Sequence, residues 1–141
     1  MPYKITHESS DGGIITTYSG VVTDEEFMAC TKEKFHIGEK FLSNKEINSY
    51  RYSISDFSAV TDFKVSVDTV KNNASRSKAV MSVNDIGLMA VVAPNDLEFA
   101  MGRLWQAYAS SQGDRIKIFK SREEADIWVC ENKKDIITPN T

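Results

Sequence analysis

The chain opens on an alternating pattern. Tyr3, Ile5 and His7 fall on one side of an extended segment, and Lys4, Thr6 and Glu8 on the other. Ile14 to Tyr18 is β-branched and aromatic, the composition of a strand. Between them lies Ser9-Ser10-Asp11-Gly12-Gly13, in which Asp-Gly supplies the positive φ values of a tight hairpin turn. Residues 3–22 are therefore predicted to form a β-hairpin. The period then changes. Thr23 with Glu26 three residues on is a capping box, and Val22 and Phe27 occupy the two positions of a hydrophobic staple. Phe27, Cys30 and Lys34/Phe35 continue at helical spacing, and His36-Ile37-Gly38 is expected to close this helix. Residues 38–49, polar apart from Phe41, Leu42 and Ile47, read as a long connection.

A strand is predicted from Tyr50 to Phe57, ending in Asp56-Phe57-Ser58, with a loop over 56–68 behind it. A second helix starts near Ser66, with Val67, Val70, Ala74, Ser77 and Met81 on one face. Leu88-Met89-Ala90-Val91-Val92 is a continuous apolar run, as in a central strand covered on both faces. Asn95 then caps a third helix with Glu98 at its third position. Leu97, Ala100, Met101, Leu104, Trp105 and Tyr108 share one face of it, and Gly113 is placed to end it. Arg115 to Phe119 is the last predicted strand. Ser121-Arg122-Glu123-Glu124 is a second capping box, opening a helix that buries Ala125, Trp128 and Val129. The order ββαβαβαβα predicts an α/β domain with a mixed sheet: the hairpin plus three parallel core strands. The 141 residues suit one domain, 1–141, with its core at about 3–133 and a frayed tail at 135–141.

Composition narrows the setting. Hydrophobic residues make up 41% of the chain and charged residues 26%, a globular balance. The net charge of −3 argues against nucleic acid as the main partner, since phosphate binding needs a concentrated basic surface. No apolar run approaches the roughly 20 residues of a membrane span. The start, Met1-Pro2-Tyr3-Lys4, has no apolar signal segment, so a cytoplasmic location is expected. Cys30 and Cys130 both sit in helical patterns and are expected to be buried thiols.

Candidate chemistry is sparse. The chain has no glycine-rich phosphate loop, no nucleophile elbow and no metal-ligand spacing. No catalytic residue, cofactor or metal is assigned. An enzyme would have to draw on Asp56, Asp62 or His36, with Asp56, Asp62 and Asp68 marking 56–68 as the most site-like segment. An apolar pocket beside the third helix would use Met101, Trp105 and Tyr108. Phe99 falls opposite the predicted apolar stripe, next to Arg103, and an exposed aromatic beside Arg suits a contact surface.

Several short pieces share an order with a known group. They are Gly20-Val21-Val22-Thr23-Asp24-Glu25-Glu26-Phe27, Asp56-Phe57-Ser58, Ala90 to Asp96 with Met101 to Trp105, and Ile118 to Trp128. Over roughly residues 3–133 the chain resembles the SpoIIAA-like group, related to the STAS domains of bacterial anti-sigma-factor antagonists. The resemblance implies a non-enzymatic α/β module that binds a protein partner or a further copy of itself. It places a phosphorylation switch at or near Ser66, with Asp56 and Ser58 as switch and loop candidates at the strand end before it. Where that group carries an Asp-Ser-Ser-Gly-like stretch, this chain has Lys64-Val65-Ser66-Val67. The group also resembles lipid-binding CRAL-TRIO domains, which implies a small apolar ligand as the alternative occupant.

Overall fold

The structure is a computed structural model describing residues 2–8, 12–43, 51–84, 87–109 and 115–136, with side chains at 2–7, 12–37, 51–78, 87–109 and 115–132. Five strands form one mixed sheet: β1 (Tyr3–Glu8), β2 (Gly13–Thr23), β3 (Tyr52–Lys64), β4 (Leu88–Val92) and β5 (Ile116–Phe119). Four helices accompany them: α1 (Asp24–Ser43), α2 (Val67–Asn84), α3 (Asp96–Ala109) and α4 (Arg122–Ile136). The spatial order of the strands is their order in the chain. β1 pairs antiparallel with β2, and β2, β3, β4 and β5 all run parallel. The parallel part therefore has four strands rather than the predicted three, because the second hairpin strand is itself the first parallel strand.

The two faces of the sheet are covered differently. Ile14, Tyr18 and Val22 of β2 and Phe57 of β3 pack with Phe27 and Cys30 of α1, Val70 and Ala74 of α2, and Trp105 and Ala109 of α3. The opposite face carries Tyr52, Ile54, Leu88, Ala90, Val92 and Phe119, closed by Ala125 and Val129 of α4. Phe57 stacks on Tyr18 with ring centroids 4.3 Å apart and planes 5° from parallel, and Phe63 meets Phe57 edge-on at 5.6 Å.

Local signals set the helix starts. The Thr23 hydroxyl donates to Glu26 Oε1 at 2.9 Å and accepts the Glu26 backbone N–H at 3.5 Å. Val22 and Phe27 are both buried, as a staple requires. Asn95 Oδ1 accepts the Glu98 N–H at 2.8 Å, and Ser121 Oγ accepts that of Glu124 at 3.2 Å. The Ser9–Asp11 part of the hairpin turn, residues 44–50, Gly113, the Met81 side chain and the tail from 137 lie outside the described residues.

Three expectations are corrected. α1 does not close at 36–38 but runs through Gly38 to Ser43. β3 does not end at Asp56 but continues to Lys64, so 56–64 is strand rather than loop. The reason is the length of β2, which offers a partner as far as Thr23 opposite Lys64, across register shifts near Ser19 and Gly20. Gly20 takes the positive φ of 66° that such an irregularity favours. Cys30 is buried, but Cys130 is exposed on the outer side of α4, and both are free thiols.

The third helix is also rotated from its predicted setting. Its buried positions are Glu98, Gly102, Trp105 and Ala109. Leu97, placed on the apolar stripe by its spacing, is 55% exposed, and Tyr108 is exposed as well. Gly102 decides the rotation. A Cβ there would lie 3.1 Å from Ile118 Cγ2, so the absence of a side chain lets α3 approach β5 along this line.

Candidate functional site

In open parallel sheets, ligands collect beyond the carboxyl ends of the strands, where helices begin. β3 creates such a place. Its pairing with β4 stops at Asp56 opposite Val92, while its pairing with β2 continues to Lys64. Residues 57–64 thus project past β4, and the first turn of α3 stands across from them. Between the two lies an open pocket of about 250 Å³, lined by Val60, Thr61, Asp62, Phe63, Asn95, Leu97 and Glu98.

Glu98 is the unusual member of this lining. It is only 4% exposed, and both carboxylate oxygens are buried without a hydrogen-bond partner. A capping box would send the carboxylate back to the Asn95 N–H. Here Asn95 makes its half of the exchange, and the return contact falls short of hydrogen-bond geometry. Burial raises the Glu98 pKa from its ordinary value, and the nearby Asn95 backbone offsets part of that rise. Asp62 on the opposite wall is exposed and lies 3.6 Å from Lys64. Lys120 is engaged elsewhere, 3.3 Å from Asp96 and 4.9 Å from the Phe99 ring centroid.

The other predicted site residues lie in several places. Asp56 is buried. Its Oδ1 accepts the Ser58 N–H at 2.9 Å and the Ser58 hydroxyl at 2.6 Å, and its Oδ2 lies 3.3 Å from Arg122 Nη1. Arg122 also donates from Nε to Asp126 at 2.9 Å, so Asp56 and Ser58 join β3 to the start of α4. Ser66 caps α2: its Oγ accepts the Thr69 N–H at 3.2 Å, and its own N–H donates to Asp24 Oδ1 at 2.7 Å. Asp68 lies in the first turn of α2 and His36 is exposed on α1.

Trp105 is 9% exposed, and its Nε1 donates to Asn73 Oδ1 at 2.8 Å inside the core. Met101 packs against the same cluster, while Tyr108 faces outward beneath Lys71. Phe99, expected to be exposed, is half-buried, with the Lys120 ammonium over its ring, and Arg103 is exposed. The pocket thus uses the segment 60–63 and the start of α3, not the Met101, Trp105 and Tyr108 face. In the sequence Glu98 reads only as the third position of the Asn95 cap, and its burial has no local signal.

A second polar group lies under α1. Lys34 Nζ is 3.5 Å from Ser55 Oγ and 6.0 Å from the Tyr18 ring centroid. Burial lowers the Lys34 pKa and raises those of Cys30 and, strongly, Tyr18. The Tyr18 hydroxyl makes no hydrogen bond of full geometry, and the Cys30 thiol is the polar group beside it.

No protein-family model matches this chain, and no curated protein matches it. Among the described residues, no three His, Cys, Asp or Glu side chains are grouped to hold a metal ion, and no helix is long and apolar enough to cross a membrane.

Proposed function

We propose that this chain is a non-enzymatic, SpoIIAA-like binding module that engages a protein partner over the carboxyl edge of its sheet. The observation that carries this reading is the open pocket between β3 and α3, with Leu97 exposed on its rim. Further apolar side chains are exposed at the same edge: Val21 near the end of β2, Met28 in the second turn of α1 and Val67 at the start of α2. Exposed apolar groups around a concave centre are the usual anatomy of a protein-binding surface. The order of the elements and the Asp56-Phe57-Ser58 and Ser121-Glu124 pieces support the SpoIIAA-like part of the reading. A lipid-like ligand beside Trp105 draws less support, because that indole is hydrogen-bonded within the core.

Photo-crosslinking tests the proposal. A photoreactive residue at position 97 or 67 is expected to trap one adduct of the same discrete mass in cells, and the same residue at position 108 to trap none. Equal labelling at all three positions, or none at 97 and 67, overturns it.

A further inference from the structure

Past Asp56, β3 is paired on one side only. β2 follows it to Lys64, while β4 stops at Val92 opposite Asp56. The ladder toward β4 is closed off at Ser58, whose N–H donates to Asp56 Oδ1 at 2.9 Å, so the open stretch begins at Ala59. In a strand every second residue turns its N–H and C=O to the same side, so about three residues between Ala59 and Lys64 present main-chain groups away from β2. Among the described residues, no backbone group outside β2 bonds to this stretch. The connections at this edge of the sheet, residues 65–66, 93–95 and 120–121, are all described. Their hydrogen bonds go to helix starts or to the end of β5, not to 59–64.

The space beside this open edge is free. Ala59, Thr61, Asp62 and Lys64 are exposed, and Val60 and Phe63 are only partly buried. The pocket of about 250 Å³ lies along 60–63, with Asn95 and Leu97, which follow β4 in the chain, as its far wall. It therefore sits on the line that β4 would take if it ran on beyond Val92. Sheet edges are usually short, covered or charged, because open main-chain groups invite pairing. The edge strand β5 shows that protection: it is four residues long, and its Ile116 carbonyl accepts Gln106 Nε2 at 2.6 Å. The overhang of β3 has only the Asp62–Lys64 pair, whose charges discourage indiscriminate pairing and leave the main chain open.

We propose that the partner protein contributes an extended segment that pairs with residues 59–64 of β3, lying where β4 would continue. This deepens the binding-module reading and rests on it. The occupant is a strand and not a helix, because a row of main-chain donors and acceptors has to be met, and a helix spends its own within itself. Val60 and Phe63 pack toward the helical layer of α1, α2 and α3, on the side where Leu97 forms the rim. Side chains of an added strand alternate between the two faces of the sheet. Those on the α3 face meet Val60, Phe63 and Leu97 and are apolar, and the others are polar. Main-chain pairing supplies the affinity, and the pocket selects the apolar side chain that enters it.

The test uses the full chain and, as probe, a phage-displayed library of linear heptapeptides in which random apolar residues alternate with threonine and lysine. Selected peptides are expected to shift the amide signals of residues 59–64 and 97 in the ¹⁵N-labelled protein and to slow hydrogen exchange within 59–64. Two N-methylated forms of the best peptide decide the mode. Methyl groups on alternate residues block one edge of the peptide or the other. One form is therefore expected to bind about tenfold or more weakly, and the other like its parent. Leu97→Ala is expected to weaken binding severalfold, and Tyr108→Ala, at an exposed position farther along α3, to leave it unchanged. The melting curve of each variant establishes that it is folded. A library without a binder at 59–64, N-methylated forms of equal affinity, or the same affinity in Leu97→Ala and Tyr108→Ala overturns the inference. If position 97 traps its adduct while the library yields nothing, strand addition is overturned and the binding-module reading stands. If peptides pair with 59–64 while positions 97 and 67 trap no protein, the partner-borne strand is overturned together with the binding-module reading.

Discussion

The indole N–H of Trp105 and the side-chain oxygen of Asn73 are 2.8 Å apart in the middle of the helical layer. Asn73 Nδ2 in turn donates to Thr31 Oγ1 at 2.7 Å, and the Thr31 hydroxyl donates to the Phe27 carbonyl at 3.0 Å. One chain of hydrogen bonds thus crosses from α3 through α2 to α1, each member satisfied by the next. Trp105→Ala is expected to lower stability by about 3–5 kcal/mol, from lost burial and the cavity left behind. Asn73→Ala leaves the indole N–H unpaired and is expected to remove about 1–3 kcal/mol. Chemical denaturation of the two variants checks both, and the double variant should lose less than the sum because the two side chains share one bond.

Gly102→Ala sets two effects against each other. Alanine in a helix interior is favoured over glycine by about 1 kcal/mol. The added methyl, however, would sit 3.1 Å from Ile118 Cγ2, a methyl held by a β-branched side chain with little freedom to move. Overpacking of this kind costs about 1–3 kcal/mol, so a net loss is expected. The denaturation midpoint reports it, and an increase would show that α3 moves off β5 without penalty.

Glu98 ties stability to pH. Its pKa is raised in the folded state above the ordinary 4.5, so the folded protein holds this proton more tightly than the unfolded chain does. The group's favourable contribution is therefore complete below 4.5 and is lost as pH rises through the folded pKa. Glu98→Gln removes that dependence. It is expected to match the parent protein in acid and to melt higher than the parent at neutral pH, the gap opening above pH 4.5. A gap independent of pH would show that Glu98 titrates normally.

The thiols should differ sharply in reactivity. Cys130 is exposed, while Cys30 is buried and its pKa is pushed up by that burial. Thiolate is the reactive form, so Cys30 is protected twice. A thiol reagent is expected to label one site rapidly in the native protein and the second only on unfolding. Cys130→Ser should abolish the rapid phase.

Ser66 is expected to matter first as a cap. Ser66→Ala removes the acceptor for the Thr69 N–H and should cost about 0.5–2 kcal/mol, whereas Ser66→Asp, itself a good cap, should cost less. Thermal melts of the pair separate this effect from any change in partner binding.

The helix starts were legible because their signals are local. Thr23, Asn95 and Ser121 each bond within three residues, and nothing distant can alter that spacing. The length of β3 was hidden because Ser58, Thr61 and Asp62 look like loop residues, and they are held in a strand by β2, whose reach no local window contains. The face of α3 was misread for a similar reason. Gly102 carries no hydrophobic weight in a periodicity count, yet its missing side chain is what turns the helix toward Ile118. Glu98 was therefore read as a capping residue alone, and its burial in the pocket wall followed only from tertiary packing.

Because strand order in space equals strand order in the chain, each new strand meets its neighbour immediately after it is made. The sheet can grow from the N-terminal hairpin during synthesis, one β–α unit at a time, with no earlier pair reopened. Each parallel pairing must still close over a whole β–α unit, as Gly13 opposite Tyr52 does, and such non-local pairing forms more slowly than a hairpin. The two faces, however, are sealed at different moments. α1, α2 and α3 cover theirs as they emerge, while Tyr52, Ile54, Leu88, Ala90 and Val92 wait for α4. A chain paused before residue 122 would carry an uncovered apolar sheet face, which makes that interval the time at which a nascent chain most needs protection from aggregation.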